Sequence, residues 1–433
     1  MSKKFEGQLE RLTIGLILSF VLLVIIFAIL MVYASNYNYG YETVPNMTMD
    51  NYNKNELDNY LKLVSHKYKD IENYIVNYNN SYTTVNNAYA GGVYSPIQNR
   101  IYMVPYSQGP EISWHFINCD TGLIESYNNV VTAVNNAYVG GVYSPTQNRI
   151  YFIPYAQSSQ TTWHYINCRT GNIVAYTHGS VVVTNAYAGG VYCSKLNRIY
   201  MVPYGQSNQA NWHYIDCNTG NVVSYEHNIT GILVNGFYGG VYSPTQERIY
   251  LVPNSQSSAT TWYYINCNNG TVSGFSNTYT ILNNAYKGGV YSPTQNRIYF
   301  IPNGQAIQTN WHYINCFSGK LEEYKVTTTA VNGAYNGGVY SPVQNRIYFI
   351  PYNQANQTTW HYLDCNKEQV VEYTVNITST ISAYLGGTYS PLENKIYMIP
   401  YSQSSQTTWH YIKNLVTEYV SSSLMAGPMF NKL

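Results

Sequence analysis

From about residue 82 to residue 420 the chain is written in short blocks. Runs of five to nine residues rich in Tyr, Ile, Val, Phe and Trp are each stopped by Pro, Gly, Asn or a Ser/Gln/Thr cluster. NAYVGGVYS, RIYFIP, TWHYINC and NIVAY, between Asn136 and Tyr176, are four such runs. Their residue types favour β-strands. SPTQN, with a turn-initiating proline, the polar run YAQSSQT and the glycine-containing RTG separate them, as turn chemistry requires. In TWHYINC, Trp163 and Tyr165 point to one face and His164 and Ile166 to the other, because side chains alternate along a strand. Both faces are bulky, so the predicted sheet is covered on both sides.

The blocks recur. Double glycines stand at Gly91-Gly92, Gly140-Gly141, Gly189-Gly190, Gly239-Gly240, Gly288-Gly289, Gly337-Gly338 and Gly386-Gly387. The period is 49 residues, once 50. All seven tryptophans keep it: Trp114, Trp163, Trp212, Trp262, Trp311, Trp360 and Trp409. Four antiparallel strands repeated seven times predict an all-β, seven-bladed β-propeller. The glycines would lie on the innermost strand, where missing side chains let seven backbones converge. YSPTQNRIY, at Tyr143 and again at Tyr291, then marks the turn from the first to the second strand. The fourth-strand pattern occurs eight times. Both Ile75-Val76-Asn77-Tyr78 and Val416-Thr417-Glu418-Tyr419 could complete the last blade. The C-terminal copy follows its own third strand by a short connection, which favours it.

Ahead of the repeats, residues 12–34 carry no charge and are long enough to span a bilayer as one helix. Lys3, Lys4 and Arg11 precede this segment, and no Lys or Arg follows until Lys54. A single-pass, type II signal-anchor is expected, with residues 1–11 cytosolic and the C-terminal domain outside or lumenal, possibilities that include a virion membrane. Cleavage after Ala34 as a signal peptide is the alternative. Within a linker and stalk at 35–74, Leu57, Leu61, Val64, Tyr68 and Ile71 begin a heptad that Ile75 and Tyr78 continue. It suggests a helix, and a homo-oligomer through residues 57–78 if the helices pair. The propeller is expected over 75–424, with a tail at 425–433. Sequons at Asn46, Asn79, Asn228, Asn269, Asn356 and Asn376 are candidate N-glycosylation sites in an external head.

Charge narrows the function. Lys, Arg, Asp and Glu make up 10% of the chain and the net charge is +1, so no basic surface supports nucleic-acid binding. Six cysteines (Cys119, Cys168, Cys217, Cys267, Cys316 and Cys365) share one register. Equivalent sites one blade apart should exceed disulfide reach, so they read as small buried hydrophobes. Cys193 stands alone in a position that is otherwise Ser. His follows Trp in six repeats, with Tyr263 in the fourth. A residue repeated in six blades reads as a satisfied buried group rather than a catalyst. No metal or cofactor motif is present. Arg100, Arg149, Arg198, Arg248, Arg297 and Arg346, with Lys395, open each second strand and are expected to bind neighbouring turns.

The most suggestive recurrence is Gln108, Gln157, Gln206, Gln256, Gln305, Gln354 and Gln403, three residues after each strand-ending proline. On one face of the ring they form a candidate ligand site beside tyrosines, a combination suited to sugars. No catalytic acid–base pair or nucleophile with its base is gathered by the breaks in symmetry at Cys193, Lys195 and Tyr263. The repeat GGVYSPTQNRIYFIPY behind a single membrane anchor resembles uncharacterised, membrane-anchored propeller proteins of large, mimivirus-like DNA viruses of protists. That resemblance implies a viral membrane or virion protein and supplies no catalytic residues. The expectation is a non-enzymatic display protein that binds a protein or glycan. The alternatives are a glycan-processing enzyme at the channel mouth and a purely architectural coat subunit.

Overall fold

The computed structural model describes residues 74–413, without 80–81, 83, 110, 112, 129–132, 181, 207–208, 230–234, 257–258, 280, 306–307, 329, 355–356, 376, 378 and 404–405. The expected anchor at 12–34, most of the stalk and the strand copy at 416–419 lie outside these residues. No helix among the described residues is long and apolar enough to cross a membrane.

Each block of bulky residues is a strand, and the strands form seven four-stranded antiparallel sheets. In the first blade Tyr89–Ser95, Arg100–Pro105, Ser113–Asn118 and Leu123–Asn128 are neighbours in that order. Four or five consecutive residues of each second strand are buried, as in Arg149–Pro154. Fourth strands alternate, as in Asn172–Thr177. The reason is lateral packing: Tyr102 and Trp114 of one blade share a core with Tyr138, Ile150 and Phe152 of the next. Every tryptophan is buried, and the aromatic residue opposite it on the fourth strand meets it edge-on, as Tyr176 meets Trp163 at 6.4 Å.

YSPTQNRIY is a hairpin with a lateral clasp. Asn148 adopts φ 53°, a left-handed conformation that Asn tolerates better than most side chains. Its carbonyl accepts the Cys168 N–H at 2.9 Å, and its side chain accepts the Tyr143 hydroxyl at 2.7 Å. Thr146 reaches across to Asn197 of the next blade at 3.0 Å. The sequence reading of this stretch as scaffold holds.

The ring closes differently from the favoured expectation. The N-terminal strand Tyr74–Asn79 pairs with Thr408–Lys413 and supplies the outer strand of the last blade. Tyr78 stands opposite Trp409, the register that Tyr127 keeps with Trp114. Ile75 and Tyr78 are therefore strand residues, and the heptad loses its last two positions. This arrangement places the first described strand in the same sheet as the last, so the ring cannot open without breaking a six-residue ladder. The connection-length argument failed because it compared loops and ignored that clasp.

At the axis the double glycines do what their spacing implied. The first of each pair has φ between +78° and +92°, a region costly for other residues. A Cβ added at Gly140 would lie 3.3 Å from the Gly189 Cα, and one at Gly386 would lie 3.5 Å from the Gly91 Cα. The glycines make the narrow waist of the channel.

Candidate functional site

The conserved-looking polar rings of the repeat turn inward. The Tyr138 hydroxyl hydrogen-bonds His164 Nδ1 at 2.5 Å, and Tyr187 and Tyr286 do the same with His213 and His312. Tyr89, Tyr335 and Tyr384 pair likewise with His115, His361 and His410. Burial lowers His115, His164, His213, His312 and His410 to about 4, so these imidazoles are neutral. In the fourth blade Tyr263 replaces His and Phe237 replaces Tyr, and the rings meet edge-on at 6.2 Å. Both halves of the hydrogen bond are lost together, which leaves neither partner stranded.

The seven glutamines are also inside. Gln108, Gln157, Gln206, Gln256, Gln305, Gln354 and Gln403 are 1–2% exposed. The Gln157 carbonyl closes a turn with the Gln160 N–H at 3.1 Å, and its side chain lies beside the Tyr138 hydroxyl. Their amides thus face the core rather than solvent. The arginines stack on third-strand aromatics: Arg149 lies 4.3 Å above Tyr165 and Arg198 4.2 Å above Tyr214. They also contact the outer hairpin of the next blade, where Arg297 pairs with Glu368 at 2.9 Å. Asn228 and Asn269 are exposed, and Asn79 ends the closing strand. Asn46, Asn356 and Asn376 lie outside the described residues.

What faces the channel mouth is a different set. Between the first and second strands the register slips, at Tyr138/Gly141 in the second blade. This bulge sits just above the glycine waist, and bulges re-aim side chains. Two positions flank it in every blade: the residue before Gly-Gly and the residue after the strand-ending proline. Together they place one large side chain per blade around the axis. Tyr106, Tyr155 and Tyr204 come from the first three blades, Tyr238 and Lys287 from the next two, and Tyr352 and Tyr401 from the last two.

These seven groups form a closed circle. Tyr106 lies 6.1 Å from Tyr155, Tyr155 6.0 Å from Tyr204, and Tyr204 5.9 Å from Tyr238, measured between ring centroids. Tyr352 lies 6.2 Å from Tyr401, which is 5.8 Å from Tyr106. The Lys287 ammonium fills the remaining gap, 5.4 Å from the Tyr238 ring and 5.6 Å from the Tyr352 ring. All seven are half-buried. Their platform is fixed, because the Tyr106 carbonyl accepts Ala137 N–H of the next blade at 3.1 Å and Tyr401 accepts Ala88 at 3.1 Å.

The symmetry breaks at blades four and five, and it breaks in compensating pairs. Where the bulge carries Tyr238 and Lys287, the post-proline residues are Asn254 and Asn303 rather than Tyr. These asparagines turn away from the axis and donate to the carbonyls of Tyr286 and Tyr335 at 3.1 and 2.8 Å. Asn336, in the sixth blade, lies beside the Tyr238 phenol. Burial raises Tyr106, Tyr155, Tyr204, Tyr238 and Tyr401, Tyr155 to about 12, and lowers Lys287. Among the described residues no carboxylate lies within ion-pair distance of Lys287. The mouth therefore offers aromatic faces, protonated hydroxyls and one ammonium without a carboxylate partner among the described residues. Sequence reasoning missed this ring by seeking what repeats. Aligning the residue before each Gly-Gly (Ala, Val, Ala, Tyr, Lys, Asn, Leu) exposes a position that varies widely in chemistry.

No family model matches the chain, and no curated protein matches it. Solved structures do. Kuenenia stuttgartiensis hydrazine synthase aligns with a TM-score of 0.55 at 12% identity, over 78% of this chain and 98% of that one. The β-propeller domain of Myceliophteria thermophila Cps50 (Swd1) aligns at 0.52 and 7% identity, over 78% and 99%. U3-55K aligns at 0.52 and 6% identity, over 78% and 98%. At such identities the likeness is one of fold, and it agrees with the strand order in making this chain a seven-bladed, all-β propeller with four strands per blade.

Proposed function

We propose that the protein is a non-enzymatic binding propeller, anchored by residues 12–34, that displays its head outside the membrane and holds a carboxylate-bearing glycan at the channel mouth. The observation that carries this reading is the circle of six tyrosines closed by Lys287, which has no carboxylate partner among the described residues. Tyrosine faces pack against the C–H face of a sugar, and their hydroxyls hydrogen-bond its oxygens. An ammonium without a carboxylate partner suits an acid group on the ligand. The platform is rigid, which limits the entropy lost on binding.

A glycan array probed with the full chain tests it. Binding is expected to acidic glycans, falling roughly tenfold or more in Lys287→Met, the loss of a charge-assisted hydrogen bond. Tyr155→Ala should weaken every glycan bound, while Gln157→Ala should leave the preference for acidic glycans intact. A flat array, or acidic binding untouched by Lys287→Met, rejects the assignment.

A further inference from the structure

A different junction carries an unassigned modification site. The last serine of each described first strand, on the face away from the tyrosine circle, lies against the third-strand cysteine of the next blade in five places. Ser95 meets Cys168, Ser144 meets Cys217, Ser243 meets Cys316, Ser292 meets Cys365 and Ser390 meets Cys119. In the third blade that serine is Cys193. Its side chain lies against Cys267 of the fourth blade, with Cys193 Sγ 3.8 Å from the Cys267 carbonyl. Both residues are fully buried. The cross-blade serine position thus brings together two thiols that are 74 residues apart in sequence.

The surroundings suit a bond here. Cys193 ends its strand and Cys267 immediately follows its own, so each backbone borders a turn that can adjust to disulfide geometry. The same junction has exchanged its other cross-blade link. Thr146–Asn197 and Thr245–Asn296 join neighbouring blades at 3.0 and 2.9 Å, whereas the third and fourth blades use Lys195 and Glu247 at 2.6 Å.

We propose that Cys193 and Cys267 form a disulfide that staples the third blade to the fourth when the chain folds in an oxidising compartment. The oxidant is a small-molecule disulfide. The Cys193 thiolate attacks one of its sulfurs and releases one small thiolate, leaving a mixed disulfide. The Cys267 thiolate then attacks Cys193 Sγ and expels the second. The two protons lost by the protein end on the two small thiols, so the protein pair is oxidised by two electrons and the small disulfide is reduced. Exchange takes place before the blades dock, because afterwards both sulfurs are inaccessible. The remaining five cysteines face serine, or a carbonyl of their own strand, and stay reduced.

The test is mass spectrometry of the full chain refolded in a glutathione and glutathione-disulfide buffer, then denatured, alkylated without reduction and digested. The peptides bearing Cys193 and Cys267 should be joined, about 2 Da below the sum of their thiol forms, with the other cysteines alkylated. Cys193→Ser, which restores the arrangement of the other junctions, should leave Cys267 alkylated in a folded chain, and Cys267→Ser should leave Cys193 alkylated. Alkylation of both residues in the wild type, or Cys193 joined to another cysteine, overturns the proposal.

Discussion

Mild acid should unfold this propeller at a pH where its carboxylates are still ionised. Five histidines, one per blade in five blades, have folded values of about 4, against an ordinary value near 6.5 when unfolded. The folded state binds fewer protons than the unfolded state between those limits. Stability therefore rises with pH there, and falls as the pH drops through the unfolded value. At about pH 6 an unfolded imidazole is roughly three-quarters protonated and a folded one about 1%. Going from about pH 7 to pH 6 then costs about 0.7 kcal/mol per histidine, or roughly 3 kcal/mol for five. By about pH 5 the loss reaches roughly 9 kcal/mol, comparable with the whole stability of a typical domain.

The figure at pH 6 depends little on the folded value, because only the unfolded imidazole titrates appreciably there. His361 is also lowered, but Glu372 lies 3.5 Å away and partly offsets its burial, so it is left out of the sum. Urea unfolding followed by fluorescence of the seven buried tryptophans measures the effect. The fourth blade supplies the control. Tyr138→Phe with His164→Tyr copies its Phe237/Tyr263 pair and should reduce the drop between pH 7 and 6 by about 0.7 kcal/mol. Equal stability at the two pH values would refute the assignment of these histidines as neutral.

Two further substitutions test the architecture by the same unfolding measurement. Tyr78→Ala removes a buried ring that meets Tyr397 at 5.7 Å and Trp409 at 6.2 Å, and should cost about 3–5 kcal/mol; a change under about 1 kcal/mol would mean that another segment closes the ring. Gly288→Ala puts a Cβ 3.2 Å from the Gly337 Cα at φ +80°, and should cost about 1–3 kcal/mol, whereas a neutral outcome would show that the waist is wider than described.

The period of Gly-Gly and Trp was enough to read seven four-stranded blades, because each blade needs both a gap at the axis and a large filler between sheets. Closure was not legible in the same way. Tyr78 and Tyr419 head equivalent copies of one pattern, and local preference cannot choose which of them faces Trp409. The glutamine ring misled for a related reason. A polar residue kept in every blade looks like a surface feature, but here it is the inner wall of a turn beside a buried phenol. Repetition reports what seven interfaces require. A candidate ligand site in such a ring is better sought where the requirement is relaxed, as at the bulge that carries Tyr238 and Lys287.

The departures from the repeat are not scattered as independent drift would leave them. Around the fourth blade, changes come as partners. Phe237 answers Tyr263 across a former hydrogen bond. Asn254 vacates the axis where Tyr238 enters it, and Glu247 receives Lys195 where Thr and Asn met before. Each pair removes a penalty that one change alone would impose: an unsatisfied buried group, an overfilled channel or an unpaired charge. The 50-residue repeat also falls here, between Gly189 and Gly239. Blades three to five are therefore the sector in which these paired departures gather. Lys287, at the axis of that sector, lies over the Tyr238 and Tyr352 rings and has no carboxylate within ion-pair distance among the described residues.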